Sequence, residues 1–285
     1  MVTLPGDVVA RYERFSLYNS PYPAHDRGHA VDLYPGENGG PAPSPVAGEV
    51  LDTRTVRCPP KPYAVDTDHL ILVDTGERVA RVLHVDPGVA PGDEVAVGDS
   101  LGTLVRSGFF GRWVDDHLHL GFRDPDANPY RASGSLPLSL DVSVAPVAWD
   151  GAGDVVETGP EHVTLDTPAR DGDGNGDGDG FHALASDEGV PLDGGLPHYT
   201  GGGVFRPREG DLSLLGTRVG TAAGRDLEWA DVAVAANGER ATGLSLFASR
   251  VGVGAKLVFH EGHDFAVGDR VAVSVAPADD PVRLG

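Results

Sequence analysis

The sequence is poor in positive charge and especially poor in lysine. Its 285 residues include 22 Lys and Arg against 43 Asp and Glu, a formal net charge of −21, and only Lys61 and Lys256 are lysines. Nucleic acids and anionic membranes bind proteins through basic patches, so this composition argues against both as partners. An acidic chain with few lysines is typical of salt-loving organisms, in which dissolved salt screens the acidic surface.

Cysteine and long apolar runs are equally scarce. The single cysteine, Cys58, excludes an intramolecular disulfide and a cysteine-based zinc knuckle. The chain has no apolar run of the roughly 18 residues that a membrane-spanning helix needs, so no membrane span is predicted. The first residues also lack the basic and apolar stretches of a signal peptide. We therefore expect a cytoplasmic protein, with unconventional export left open.

What the sequence does contain indicates an all-β fold. Apolar residues alternate with a period of two in several segments, and Gly-Pro and Gly-Asp turns separate them. These segments are residues 70–73, 79–85, 117–122, 138–144 and 271–275. The pattern of residues 225–234 fits either a short helix or a strand. We predict a compact sandwich- or barrel-like β domain, residues 1–135, followed by a second small β domain, residues 136–285, of unknown role.

An acidic, glycine-rich segment lies within the second predicted domain. Residues 171–180 read DGDGNGDGDG, and the oxygens of Asp171, Asp173 and Asn175 fit the opening of a calcium-binding loop. The twelfth position of that loop is His182, where calcium loops carry a bidentate Glu. A solvated loop is therefore the favoured interpretation and a calcium site the alternative.

The histidines carry the chemical information. His117 and His119 are two residues apart, so in a strand they face the same side and can form a metal or acid-base site. Upstream, His29 and Asp32 would complete a set of two His and one carboxylate, the ligand number of a catalytic zinc with an open position. On its own, His84 in an apolar run is more typical of a hydrogen-bonded core histidine.

A second histidine cluster lies near the C-terminus. His260, Glu261 and His263 suggest a metal site, but their spacing differs from the H-E-x-x-H of helical zinc proteases. A strand end or turn is the alternative and is favoured. The other histidines stand apart from one another and are expected at the surface or in loops; they are His69, His162, His182 and His198.

Taken together, five short segments of the N-terminal half follow a recognisable order. They are His29 with Asp32, residues 44–50 (SPVAGEV), His84, residues 89–102 (VAPGDEVAVGDSLG) and residues 117–120 (HLHL). This order, within residues 24–130, resembles that of the lysostaphin-type zinc metalloendopeptidases, which cut peptide cross-links in bacterial cell walls. The likeness covers under half of the chain.

The resemblance implies a fold, a cofactor and roles for individual residues. The fold would be a duplicated hybrid motif, and zinc would be bound by His29, Asp32 and His119. His117 would act as general base and His84 would stabilise the tetrahedral intermediate. This division is chemically sensible because zinc lowers the pKa of a bound water toward about 7, where a neutral imidazole can accept its proton. The substrate would be a peptide or a peptidoglycan-like molecule.

The sequence departs from the family pattern at two places. The family has His four residues before Asp, whereas His29 is three before Asp32 and Gly28 holds the expected position. Either a bulge at Gly28 turns His29 inward, or this ligand is lost; His25 is a less favoured substitute. The aromatic stretch at residues 109–114 replaces a loop of small residues and is expected to line the substrate groove.

Three functions are consistent with these patterns. The favoured one is a zinc-dependent metalloendopeptidase-like hydrolase that cleaves peptide bonds with metal-activated water. The second is an inactive module of the same β fold that binds a peptide or glycan. The third is an assembly module in which the C-terminal domain carries the function. The sequence does not predict the oligomeric state.

Overall fold

The computed structural model describes residues 1–169 and 180–284. The calcium-loop prediction at residues 171–180 therefore lies outside the described residues except for Gly180. Strands hold 49% of the residues and helix 1%, which confirms the predicted all-β class. Among the described residues, no helix is long and apolar enough to cross a membrane.

Contacts between Cα atoms divide the chain into two compact units. The first consists of Met1–Phe15 and Gly28–Val142, and the second of Ser16–Arg27 and Ser143–Gly285. Residues 1–142 contain the helix α1 (Gly6–Val9) and the strands β1 (Val2–Leu4), β2 (Arg14–Ser16), β3 (Ala30–Tyr34), β4 (Pro41–Pro43), β5 (Gly48–Arg57), β6 (Thr67–Asp74), β7 (Val79–Leu83), β8 (Val85–Pro87), β9 (Glu94–Val95), β10 (Ser100–Leu104), β11 (Leu118–Arg123) and β12 (Leu138–Leu140).

One sheet of the first unit positions the histidines. Six strands lie side by side in the order β3-β11-β7-β6-β5-β9, and β11 is antiparallel to both of its neighbours. Successive side chains of a strand point to opposite faces. Leu118 and Leu120 of β11 and Val82 of β7 are fully buried on one face. The opposite face, here called the site face, carries Asp32 and Leu83 as the cross-strand neighbours of His119.

Three Gly-Asp turns share one geometry. They span residues 90–93, 96–99 and 266–269. In each, the Asp N–H donates to the carbonyl of the first residue, at 3.0, 3.1 and 3.1 Å. The Asp carboxylate accepts that residue's N–H at 2.8 Å. The third residue is glycine with φ of 94°, 94° and 93°, the positive φ that a type II turn requires there. The three segments are therefore similar in sequence because each forms the same type of turn.

The second unit is also built from strands. Residues 143–284 contain the strands β13 (Val144–Val147), β14 (Ala152–Gly159), β15 (His162–Leu165), β16 (Phe181–Leu184), β17 (Leu192–Leu196), β18 (Gly201–Leu214), β19 (Thr217–Trp229), β20 (Val232–Ala236), β21 (Glu239–Ala241), β22 (Gly243–Leu246), β23 (Ala248–Ser249), β24 (Lys256–Val258) and β25 (Arg270–Pro277). Ten of them follow the order β19-β18-β17-β22-β24-β15-β14-β25-β20-β21. The helix considered for residues 225–234 is wrong. Strands β19 and β20 occupy that stretch because Leu227, Val232 and Val234 are buried in the core of this unit.

A buried carboxyl group makes the stability of the second unit sensitive to pH. Asp193 is fully buried; its Oδ1 accepts a hydrogen bond from Ser16 Oγ at 2.5 Å and its Oδ2 accepts one from Leu17 N–H at 2.7 Å. Burial raises the pKa of Asp193 to about 7. Between its usual pKa of 3.8 and about 7, the folded chain holds a proton that the unfolded chain has lost. The contribution to stability is therefore complete below that window and is lost as the pH rises through it.

We expect Asp193→Asn to flatten the pH dependence of unfolding. Between pH 4.5 and 7, the free energy of unfolding of the wild type should fall more steeply than that of the variant, by up to about 1.4 kcal/mol per pH unit. Denaturant titrations in concentrated salt measure both slopes. The exposed carboxyl of Asp279, replaced by Asn, is the control. Identical slopes in the wild type and Asp193→Asn would contradict the assignment.

Candidate functional site

Two imidazoles converge on the carboxylate of Asp32. Asp32 and His119 are cross-strand neighbours, and His119 Nδ1 lies 3.0 Å from Asp32 Oδ1. His117, two residues earlier on the same chain segment, places its Nε2 3.7 Å from Asp32 Oδ2. Asp32 and His117 are each only 3% exposed. The i, i+2 spacing of the histidines thus brings both to one acidic group.

Hydrogen bonding fixes the tautomer of His117. Its Nδ1 lies 2.9 Å from the carbonyl oxygen of Asp115. A carbonyl can only accept, so Nδ1 carries the proton and donates it. The lone pair of the neutral ring is then on Nε2, the nitrogen that faces Asp32. His117 is oriented as a base toward the space beside that carboxylate.

His84 is held in an uncommon conformation by a buried carboxylate. It follows β7 directly and has a φ of 69°, a left-handed value that few non-glycine residues adopt. Asp68 of β6, fully buried, accepts both the His84 backbone N–H at 3.1 Å and the Nδ1–H at 2.5 Å. Asp68 also accepts hydrogen bonds from Ser107 Oγ and from the His69 N–H, each at 2.6 Å.

The electrostatics of Asp68 follow from these contacts. Burial alone would raise its pKa, but the charge of His84 and the hydrogen bonds from His84, Ser107 and the backbone of His69 outweigh burial and lower the pKa to about 2. Asp68 is therefore ionised at neutral pH.

An aromatic loop packs against the two imidazoles. The ring of Phe110 lies 5.3 Å from that of His84 and 4.8 Å from that of His117, and the two imidazoles are 5.0 Å apart. Arg106 fixes this loop by donating to the carbonyls of Gly111, Arg112 and Val114. The aromatic replacement seen in the sequence therefore stands beside His84 and His117.

The position of His29 differs from that of the other site residues. Its Nδ1 lies 3.2 Å from the carbonyl oxygen of Ser135, and Gly28 before it has a φ of 58°. The structure thus brings together four residues of the first unit: Asp32, His84, His117 and His119.

His25 has the hydrogen bond expected of a metal ligand. It is 1% exposed, and its Nδ1 lies 2.8 Å from the carbonyl oxygen of Leu17. Nδ1 therefore donates, and metal-binding histidines commonly donate the N–H of the nitrogen that does not bind the metal in this way.

Among the residues that the structure describes, the other histidines do not form a second group that could hold a metal. His263 Nε2 donates toward the carbonyls of Gly159 and His162 at 2.9 and 3.0 Å, and its Nδ1 accepts the Phe265 N–H at 3.2 Å. Both nitrogens of His263 therefore form hydrogen bonds within a turn, in agreement with the favoured interpretation of this cluster. His162 begins strand β15 and is 9% exposed, so its expected placement at the surface or in a loop is wrong. His198 lies in the turn that follows β17, as a loop residue would, but it is fully buried within the second unit.

Fold and site together define an all-β protein with a His/Asp cluster on one sheet. Residues 3–140 match a family model described as "Domain of unknown function (DUF8155) N-terminal domain", and residues 145–276 match its C-terminal counterpart. Together the two models span almost the whole chain, which belongs to this family. Asp32, His84, His117 and His119 all fall in the N-terminal match. No curated protein matches the sequence.

Several solved structures are similar over part of the chain. The catalytic domain of the antimicrobial peptidase lysostaphin from Staphylococcus simulans is 18% identical, with a TM-score of 0.30, over 46% of this chain and 92% of that one. The solution structure of lysostaphin is 14% identical, with a TM-score of 0.29, over 85% of this chain and 89% of that one. The catalytic domain of the prophage-encoded protein EnpA from Enterococcus faecalis is 18% identical, with a TM-score of 0.28, over 37% and 78%.

Proposed function

We propose that the chain is a zinc-dependent hydrolase of peptide bonds that acts on a peptide or peptidoglycan-like substrate. The supporting observation is the difference between the groups that accept the Nδ1–H of the two imidazoles near the Asp32–His119 pair. His117 donates from Nδ1 to a neutral carbonyl, which leaves the lone pair on Nε2. His84 donates from Nδ1 to the buried carboxylate of Asp68, and in the proposed reaction it donates a second proton from Nε2. A base and an acid at one metal-binding group are what metal-assisted hydrolysis requires.

Each residue then has one role in the reaction. Zinc held by Asp32, His119 and a third ligand would supply a Lewis acid and lower the pKa of water toward about 7. His117 Nε2 accepts the proton of the attacking water. His84 Nε2–H donates to the oxygen that becomes negative in the tetrahedral intermediate. Phe110 packs against both imidazoles and limits the access of bulk water to them.

Two features favour a catalyst over an inactive binding module. His84 keeps a left-handed backbone conformation, which costs free energy and is typically retained at functional sites. Two of the four hydrogen bonds that Asp68 accepts come from His84. A groove that only bound peptide would need neither the strained backbone nor the ion pair.

Zinc content tests the proposal directly. We expect protein purified in concentrated salt without chelator to contain close to one zinc per chain, and His119→Ala to contain almost none, because one of three protein ligands is lost. Elemental analysis measures the ratio. His182→Ala, in the second unit, is the matched control and should keep the metal. Absence of zinc from the wild type would contradict the proposal.

The identity of the first ligand is tested by a pair of variants. If His25, the substitute considered from the sequence, is the third ligand, then His25→Ala should lose zinc and His29→Ala should retain it, because His29 bonds to Ser135 instead. The reverse result would assign the ligand to His29, as the sequence resemblance implies. Cleavage of a mixed peptide library by the wild type, abolished by a chelator and restored by added zinc, completes the test of activity.

A further inference from the structure

The site face of the sheet carries the guanidinium of a buried arginine, Arg81. Arg81 lies on β7, two residues before Leu83, and is the cross-strand neighbour of Gly121. It therefore points to the same face as the row formed by Asp32, His119 and Leu83. Rows two residues apart are about 7 Å from each other, a distance that an arginine side chain can span.

The surroundings of Arg81 are apolar and positively charged. It is 5% exposed, and its row neighbour Leu72 belongs to an apolar cluster with Leu70, Val79 and Leu83. Within the described part of the chain, no carboxylate lies within ion-pair distance of Arg81, and its buried Nε has no hydrogen-bond partner. Burial, and next to it the charge of Arg123, lower the pKa of Arg81 to about 10, so it remains cationic at neutral pH.

Arg123 donates hydrogen bonds to the neighbouring segment, residues 131–135, here called the wall. Its Nη1 donates to Ser135 Oγ at 2.6 Å, and its Nη2 donates to the carbonyls of Arg131, Ala132 and Ser133 at 3.0, 3.3 and 3.2 Å. Ser135 Oγ would lie 3.2 Å from a Cβ added at Gly121, so this wall stands over the row that contains Arg81. Arg81 is thus placed between the wall and the row of metal ligands.

We propose that Arg81 binds a carboxylate of the peptide substrate, next to the bond that is cleaved. This inference rests on the proposed function and adds a substrate preference to it. An unpaired buried cation costs folding free energy, and a carboxylate that forms two parallel hydrogen bonds with the guanidinium offsets this cost when it binds. The net charge of −21 repels acidic peptides elsewhere on the surface. Recognition of a carboxylate therefore depends on a desolvated arginine, and Arg81 has the geometry for this role.

Peptide binding to His117→Ala, which keeps the metal ligands but lacks the base, tests the proposal. Three fluorescent peptides of otherwise identical sequence serve as probes: one with an internal Glu and an amidated C-terminus, one with Gln and a free C-terminus, and one with neither carboxylate. We expect one of the first two to bind at least about tenfold more tightly than the third. Which of the two does so identifies the source of the carboxylate.

Variants of Arg81 then assign the preference to this residue. In the same background, Arg81→Met should abolish the difference between the peptides and Arg81→Lys should retain part of it. Arg78→Met, at a partly exposed arginine directly before β7, should leave the difference intact. Removal of a buried charge by Arg81→Met is not expected to unfold the protein, and Arg81→Lys covers the case in which it does.

Two outcomes would overturn the inference. One is equal binding of all three peptides, and the other is a carboxylate preference that survives in Arg81→Met. These outcomes are separable from failure of the proposed function, which depends on zinc content and cleavage. If the protein binds zinc and cleaves peptides but shows no preference for a carboxylate, only the role of Arg81 is refuted. If the protein lacks zinc but shows a carboxylate preference that depends on Arg81, the binding site is supported and the hydrolase function is refuted.

Discussion

Replacing His117 with alanine is expected to lower peptide hydrolysis by about 10²- to 10⁴-fold while leaving the zinc content unchanged, the usual loss when a general base is removed. The reason is geometric. His117 Nδ1–H is committed to the Asp115 carbonyl at 2.9 Å, so Nε2 is the basic atom. Nε2 stands 3.7 Å from Asp32 Oδ2, which is too far for a direct hydrogen bond.

Parallel assays of zinc and turnover separate this role from that of a ligand. His117→Ala should lose turnover alone, whereas His119→Ala should lose zinc and turnover together. His260→Ala, in the second unit, serves as the histidine control and should change neither. If His117→Ala loses its zinc, His117 is a ligand and the base must be sought elsewhere. If turnover survives, the assignment of the base is wrong.

Replacing Asp68 with alanine is expected to destabilise the first unit by about 3–5 kcal/mol, as breaking a buried ion pair usually does. The alanine would leave the Nδ1–H of His84, the hydroxyl of Ser107 and the N–H of His69 without their acceptor. The strained backbone of His84 would lose its support as well. We therefore expect turnover to fall even under conditions in which the variant remains folded.

The pH dependence of stability gives a second measure of the same carboxylate. The pKa of Asp68 is lowered from 3.8 to about 2 in the folded chain. Its contribution is therefore complete above the unfolded pKa and is lost as the pH falls from about 4 toward 2, with a magnitude of about 2 kcal/mol. Denaturant titrations of the wild type and of Asp68→Asn in concentrated salt measure this difference.

The protonation of the His84 ring nitrogens shows directly whether Asp68 positions this imidazole. Nitrogen NMR of the imidazole should show protonated Nδ1 in the wild type and a changed tautomer population in Asp68→Asn, whose amide can donate where the carboxylate only accepts. Asp66→Asn, two residues away and exposed, is the control. An Asp68→Ala variant as stable as the wild type, with an unaltered His84 signal, would contradict both parts of this prediction.

The sequence indicated the site only as far as local spacing reaches. His117 and His119 share a face because strands alternate, and this follows from their i, i+2 positions. The pairing of Asp32 with His119 joins residues 87 positions apart, so it depends on the register of β3 and β11, which no local pattern defines. The family resemblance, and not the periodicity, suggested that these two residues meet.

The sequence did not indicate the residues that support the site without belonging to a histidine motif. Asp68 lies 16 positions before His84 in an unremarkable strand, and only the pairing of β6 with β7 and the left-handed turn at His84 bring them together. Arg81 looks like an ordinary strand arginine until its lack of a carboxylate partner is visible. His198 reads as a loop residue, but the strands of the second unit bury it completely.

The repeated Gly-Asp turns bear on how this acidic protein could be adapted to dilute buffers. A designer aiming at low-salt solubility would neutralise surface carboxylates to relieve self-repulsion. Asp93, Asp99 and Asp269 are poor choices, because each carboxylate closes its own turn onto a backbone N–H at 2.8 Å. Part of the acidity is thus architectural, and charge reduction should begin at carboxylates such as that of Asp279, which is exposed and closes no such turn.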